Sequence, residues 1–151
     1  MATVKRFEEL HVWQAAREFV KMIYRFTNQE SFKHDFALRD QIRRAASSIM
    51  HNIAEGFVAG SDSEFIRFLG YARRSGTETQ SQLYIALDEE YITKPQFDDA
   101  YTQSTQILKQ INSLIGYLDN SRKSNRQTLK ENQTNYSIET PDQSDQSDYS
   151  D

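Results

Sequence analysis

Apolar side chains recur every three or four positions along most of this chain, which is the spacing of one face of an α-helix. The pattern predicts four helices and no strand, and we place the helices at approximately residues 7–27, 35–54, 62–91 and 94–118. Their connections are short, so neighbouring helices should run antiparallel. The predicted fold is therefore all-α, an antiparallel up-down-up-down four-helix bundle that occupies residues 1–120.

Capping signals mark the starts of the third and fourth helices. Ser61 with Glu64 and Thr93 with Gln96 form capping-box patterns, and Pro95 follows in the first turn of the fourth helix. The fourth helix also has the heptad seam that left-handed bundle packing requires. The seam consists of Phe97, Tyr101, Ser104, Leu108, Ile111, Ile115 and Leu118.

Four positions should specify the fold rather than carry chemistry. Asn52 lies at the edge of the apolar stripe of the second helix and Glu55 precedes the predicted stop at Gly56, so both side chains could bond the backbone at the turn into the third helix. Gly76 lies in the middle of the third helix, where glycine costs about 1 kcal/mol relative to alanine. A close helix crossing, against residues 45–46, is the expected compensation.

The first helix has an unusually wide apolar arc. Its apolar residues spread over about 200° of the helical wheel, which is wider than the stripe that packing on one bundle needs. The surplus predicts a subunit interface. The candidate interface residues are Trp13, Phe19, Met22 and Phe26. The alternative is that the surplus is covered by the loop at residues 31–33 or by the C-terminal segment.

The composition changes near residue 120. Residues 121–151 are dominated by Ser, Asn, Gln, Thr and Asp and have few side chains that could bury apolar surface. Such a segment cannot offset its ordering entropy, so we expect a disordered acidic C-terminal tail. Solubilising or partner-binding roles remain open for it, although a passive extension is favoured.

Whole-chain composition narrows the classes of function. The 151 residues include no cysteine, which excludes a disulfide scaffold, a thiolate metal site and a cysteine nucleophile. The first residues lack the apolar run of a signal peptide, and no apolar stretch is long enough to span a membrane. We therefore expect a cytoplasmic protein without a membrane partner. A formal net charge of -4 argues against a strongly basic nucleic-acid-binding domain but allows local basic patches.

Four separated sequence blocks resemble one known family. They are residues 42–49 (Ile-Arg-Arg-Ala-Ala-Ser-Ser-Ile) with 52–56 (Asn-Ile-Ala-Glu-Gly), 7–10 with 12–15, 64–65 with 68–69, and 72–75 with 78 and 82–83. Over about residues 4–118 the chain resembles the small bacterial four-helix-bundle proteins first noticed in intervening sequences of large-subunit ribosomal RNA genes. Those proteins are loosely similar to the accessory proteins of diversity-generating retroelements, which form barrel-shaped pentamers and bind reverse transcriptase and nucleic acid.

The resemblance implies a homopentamer, a nucleic-acid role that is not settled, and no established enzymatic activity. The chain departs from the family pattern at three places. Met50-His51 stands where many relatives have a proline or a small residue, Arg74 stands where many have glycine, and the Asp-rich tail lies outside the pattern.

Arginines are the candidates for nucleic-acid contact, because arginine offers forked donors for phosphate and a plane for stacking. The candidates are Arg43, Arg44, Arg67, Arg73 and Arg74. Arg67 and Arg74 share a helix face with Tyr71, a combination that can hold phosphates and stack bases. The favoured alternative is a solvated face with Asp40–Arg44 and Arg74–Glu78 pairs at helical spacing.

Catalytic and metal motifs are missing from the sequence. His51 and Glu55 are one turn apart, but two ligands do not make a metal site. Nucleophile elbows, phosphate-binding loops and dinucleotide fingerprints are absent from the sequence. We therefore expect no enzyme, no cofactor and no metal. Two hypotheses remain: an oligomeric assembly or adaptor module with an unknown protein partner, and an accessory protein that binds RNA or DNA through symmetric arginine patches.

Overall fold

A computed structural model describes residues 3–139 of the chain, with side chains through residue 135. A single 3₁₀ turn, Phe7–Glu9, precedes four α-helices. These are α1 (His11–Thr27), α2 (Phe36–Val58), α3 (Asp62–Asp88) and α4 (Lys94–Glu139), and the described residues contain no strand. Contacts join α1 to α2, α2 to α3, α3 to α4 and α4 back to α1. The predicted four-helix bundle is confirmed.

The predicted helix starts follow from side-chain caps. Ser61 Oγ accepts a hydrogen bond from the amide of Glu64 at 3.2 Å. Thr93 and Gln96 form a reciprocal capping box, in which each side chain accepts from the other residue's amide, at 3.2 and 3.0 Å. The helix ends differ from the prediction. The second helix runs to Val58 instead of stopping near residue 54, and the third stops at Asp88 because Glu90 adopts a positive φ of 60°.

One end of the bundle is closed by a contact between two loops, which we call the loop latch. Phe32 of the α1–α2 loop is buried and lies 5.1 Å from the ring of Tyr91, in the α3–α4 loop. The Tyr91 hydroxyl donates to Asp35 Oδ2 at 3.0 Å, and Ser31 Oγ donates to the Tyr91 carbonyl at 2.7 Å. Asp35 also caps α2, because its Oδ1 accepts from the amide of Leu38. The latch therefore joins the two halves of the chain.

A short polar cluster interrupts the seam between α2 and α3. Ser75 Oγ donates to Ser48 Oγ at 2.9 Å, and the Asn52 amide donates to the Ser48 carbonyl at 2.8 Å. Asn52 therefore bonds its own helix one turn back, not the turn into α3 as expected. Glu55 is exposed and has no hydrogen bond or ion pair with any described residue, so its expected role at the turn is wrong.

Two glycines allow close contacts between helices. A Cβ added at Gly56 would lie 2.8 Å from Phe65 Cδ2 and 2.8 Å from Phe68 Cβ. Gly56 is thus a packing position inside α2 rather than its stop. A Cβ added at Gly76 would lie 2.8 Å from Leu108 Cδ2 of α4. The expected close crossing at Gly76 is present, but its nearest partner is on α4 and not at residues 45–46.

The wide apolar arc of α1 is explained within the chain. Phe19 is fully buried, with 0% exposure, and Met22 and Phe26 are buried beside it in the core. These three side chains are not available to a second subunit, so their predicted interface role is wrong. The reason is that α1 contacts both α2 and α4 and buries surface on both sides. Trp13 is partly buried against the edge of Phe7, at 5.1 Å, and its interface role stays a prediction.

The fourth helix is much longer than predicted. It passes the expected end near Leu118 and continues to Glu139. Leu118 is the last buried apolar residue described, and side chains 123–135 are all exposed. We call residues 123–139 the arm. The predicted disordered tail from residue 121 is therefore corrected to helix as far as residue 139, while residues 140–151 lie outside the described residues.

Candidate interaction surfaces

Arg43 clamps α2 onto the end of α1. Its Nε donates to Thr27 Oγ1 at 2.7 Å and its Nη2 donates to Asn28 Oδ1 at 2.9 Å. Its guanidinium carbon lies 4.4 Å from the centre of the Tyr24 ring. Because these contacts engage two of its nitrogens and one face of its plane, Arg43 packs α2 against the end of α1, and its role as a phosphate ligand stays a prediction.

Arg73 and Arg44 lie on separate surfaces of the bundle. Arg73 Nη1 donates to Asn112 Oδ1 at 3.0 Å and joins α3 to α4. Arg44 is exposed and forms no ion pair with the described residues, because Asp40 instead pairs with Arg39 at 3.1 Å. The predicted Asp40–Arg44 pair is therefore absent from the described structure.

Arg67 and Arg74 do meet around Tyr71 on the outer face of α3. The guanidinium carbons lie 5.7 and 6.0 Å from the centre of the Tyr71 ring, and Arg67 Nη1 donates to the Tyr71 hydroxyl at 3.2 Å. Arg67 also pairs with Glu64 at 2.5 Å, and this hydrogen bond holds the pKa of Arg67 above its ordinary value. Arg74 forms no ion pair among the described residues, so the expected pair with Glu78 is not present. We call Arg67, Tyr71 and Arg74 the α3 face.

A groove of about 490 Å³ runs between the start of α1 and the middle of α4. Its walls are formed by Leu10, His11, Val12, Lys109, Gln110, Ser113 and Leu114. Tyr117 lies one turn along α4 from Leu114 on the same helix face and is 62% exposed. The groove was not predicted from the sequence, because it forms only where the start of α1 lies beside the middle of α4.

Residues 8–113 match the model of the 23S rRNA-intervening sequence protein family. The chain belongs to that family. The chain is similar to a protein of unknown function from the S23 ribosomal protein family of Bacteroides thetaiotaomicron, whose crystal structure is known. The two sequences are 34% identical, and the structures match with a TM-score of 0.64. The similarity covers 69% of this chain and 97% of that one. No curated protein matches this chain.

Membership of the 23S rRNA-intervening sequence protein family confirms the sequence resemblance and accounts for the bundle. The matched residues end at residue 113, before the arm begins, so the arm lies beyond the family pattern. The part of the chain that the structure describes holds no group of three or more metal-ligating side chains. None of the described helices is both long and apolar enough to cross a lipid bilayer.

Proposed function

We propose that this family member is a non-enzymatic assembly module that forms a closed homo-oligomer, with five subunits favoured by the family resemblance. The observation that supports the proposal is the groove between α1 and α4, where apolar side chains face solvent at the subunit surface. A closed ring would repeat its outer docking surfaces at fixed spacing for a partner protein. The expected cytoplasmic location stays a prediction.

The groove is a better interface candidate than the centre of α1. Leu10 and Leu114 are partly exposed on its two walls, and the exposed Tyr117 follows one turn beyond Leu114 on the same face of α4. Aromatic side chains are enriched where interfaces form, since they bury a large area with few rotatable bonds. A second copy that inserted a side chain into the groove would cover all three.

Light scattering coupled to size-exclusion chromatography tests this proposal. The wild-type chain should elute as an oligomer at micromolar concentration, and Tyr117→Asp should lower the mass because a carboxylate would be desolvated in the interface. Phe36→Asp is the matched control, since Phe36 is also an exposed aromatic, at 61%, but lies at the opposite end of the bundle. A monomeric wild-type protein would refute the proposal, and equal masses for wild type and Tyr117→Asp would exclude the groove.

A second candidate function, nucleic-acid binding, is favoured by the α3 face. Two arginines flank the exposed ring of Tyr71, and such an arrangement can pair with phosphates and stack against a base. The intact oligomer would present the face once per subunit, so weak contacts would act together. Replacing Arg67 and Arg74 by glutamine should weaken RNA binding and flatten its salt dependence. Unchanged binding would exclude this face.

A further inference from the structure

The arm presents side chains 123–135 to solvent. Residues 123–139 span about 25 Å at the α-helical rise of about 1.5 Å per residue. The base of the arm is fixed to the bundle by Arg122, whose Nη1 donates to Ser63 Oγ of α3 at 3.3 Å. Leu129, at 61% exposure, is the only large apolar residue among side chains 123–135.

Basic residues on the proximal part of the arm share one face. Arg122, Lys123, Arg126 and Lys130 fall within an arc of about 100° when successive residues are separated by about 100°. We call these four residues the basic stripe. Asp119 pairs with Arg122 and Lys123 at the base of the stripe, at 2.7 and 3.1 Å. The next carboxylate along the chain is Glu131, about 130° around the helix from the centre of the stripe. Arg126 and Lys130 form no ion pair with any described residue.

We propose that the basic stripe binds the phosphate backbone of a nucleic acid. This inference rests on the nucleic-acid candidate function but places the main contact on the arm instead of the α3 face. Arg67 is neutralised by Glu64 and Arg73 is bound to Asn112, whereas the outer half of the stripe is unpaired. The stripe therefore offers more uncompensated positive charge than any of the arginine pairs on the bundle.

The side chains of the arm favour a nucleic acid over a membrane surface or a coiled-coil partner. A membrane-bound helix needs an apolar face opposite its basic face, and the arm has only Leu129, Tyr136 and Ile138 as large apolar residues, which are too few to form one. A coiled-coil partner needs apolar residues every three or four positions, which residues 123–135 lack. Phosphate binding needs only exposed cations at regular intervals, and positions 122, 126 and 130 recur every 6 Å or so along the axis.

The sequence that follows the arm carries the opposite charge. Asp142, Asp145, Asp148 and Asp151 follow Glu139 without any basic residue between them. A segment with this charge competes with phosphate for the stripe when it is tethered at high local concentration. Ending the chain at Glu139 raises the formal net charge from -4 to zero and should tighten nucleic-acid binding.

Fluorescence anisotropy with a labelled single-stranded RNA of about 20 nucleotides tests the inference. The full chain and the chain ended at Glu139 are compared with Arg126→Gln/Lys130→Gln in each background. The double variant should weaken binding about tenfold at low salt and reduce the log–log salt slope by about 1.4, since two phosphate contacts to a single strand are lost. Lys5→Gln/Arg25→Gln is the matched control, because it removes the same charge from exposed positions on the rest of the chain.

Each outcome decides between the surfaces. Loss of binding in the arm variant, with the control and the Arg67→Gln/Arg74→Gln variant unaffected, supports the basic stripe. Loss in the α3-face variant alone would overturn the stripe while leaving the candidate function in place. Absence of binding by both the full and the shortened chain at low salt would overturn both. Oligomer mass, measured on every variant, reports separately on the assembly proposal.

Discussion

Alanine substitution at the helical glycines should give opposite effects on stability, depending on what the new methyl group meets. At Gly56 the methyl would lie 2.8 Å from Phe68 Cβ and 3.3 Å from the Phe65 carbonyl oxygen. Neither atom can rotate away, because one is fixed to the backbone and the other belongs to it. At Gly76 the close atom is Leu108 Cδ2, the end of a flexible side chain that is only partly buried.

The magnitudes follow from two opposing terms. Replacing glycine by alanine inside a helix gains about 1 kcal/mol, whereas overpacking a close contact costs about 1–3 kcal/mol. Because the atoms that meet the new methyl group at Gly56 cannot move away, the cost there should lie near 2–3 kcal/mol, and Gly56→Ala should lower the free energy of unfolding by about 1–2 kcal/mol, or about 3–8 °C in Tm. Gly76→Ala should stay within about 1 kcal/mol of wild type, because Leu108 can change rotamer. Gly70→Ala, with no atom within 4 Å, should gain up to about 1 kcal/mol.

Urea denaturation followed by circular dichroism measures all three variants at one protomer concentration, so that association does not differ between them. The expected order of midpoints is Gly70→Ala, then Gly76→Ala, then Gly56→Ala. If Gly56→Ala were as stable as wild type, the rigid contact with α3 would not exist. If Gly70→Ala were the least stable variant, the gain in helix propensity could not be the dominant effect at a position where the new methyl group contacts nothing.

Three further predictions concern the loop latch, the Arg43 clamp and the arm. Tyr91→Phe should lower the urea midpoint at pH 7. Because the hydrogen bond to Asp35 raises the pKa of Tyr91, that difference should disappear as the pH rises through this pKa; a constant difference would contradict the assignment. Arg43→Lys should cost about 1–2 kcal/mol in denaturation, and a neutral effect would exclude the clamp. Ending the chain at Asn120 should remove the helical circular dichroism of residues 121–139 but leave the number of subunits per oligomer and the Tm unchanged. A large fall in Tm would instead show that the arm packs against the bundle.

Local chemistry made the fold predictable from the sequence. The caps at Ser61 and Thr93 act within one turn, so their residues are enough to predict where α3 and α4 begin. The arm was missed because its polar composition resembles that of a disordered segment. Pairs at helical spacing, such as Asp119–Lys123 and Gln127–Glu131, support the helix instead, and no glycine or proline interrupts residues 117–139.

The candidate surfaces were harder to predict, because they depend on how the helices are placed against each other. Arg43 looks like a basic surface residue in the sequence, yet its donors reach Thr27 and Asn28 on another segment. The central side chains of α1 suggested an interface, but a helix with neighbours on both sides buries a wide arc within its own chain. The spacing of apolar residues identifies which face of a helix is buried, but not which segment or subunit covers that face.

The hydroxyl contact between Ser48 and Ser75 makes one alignment of α2 and α3 distinguishable from its neighbours. Most of that seam is apolar, and apolar attraction is not directional, so a slide of one helix along the other by a turn, about 5.4 Å, is opposed by specific contacts such as the packing at Gly56 and this hydroxyl pair. After such a slide Ser75 would lose its acceptor on α2, at a cost of about 1 kcal/mol, whereas Asn52 would keep its bonds to Ser48 within α2. The contact therefore adds little to the total stability but favours a single alignment of α3, and with it the α3 face, against α2.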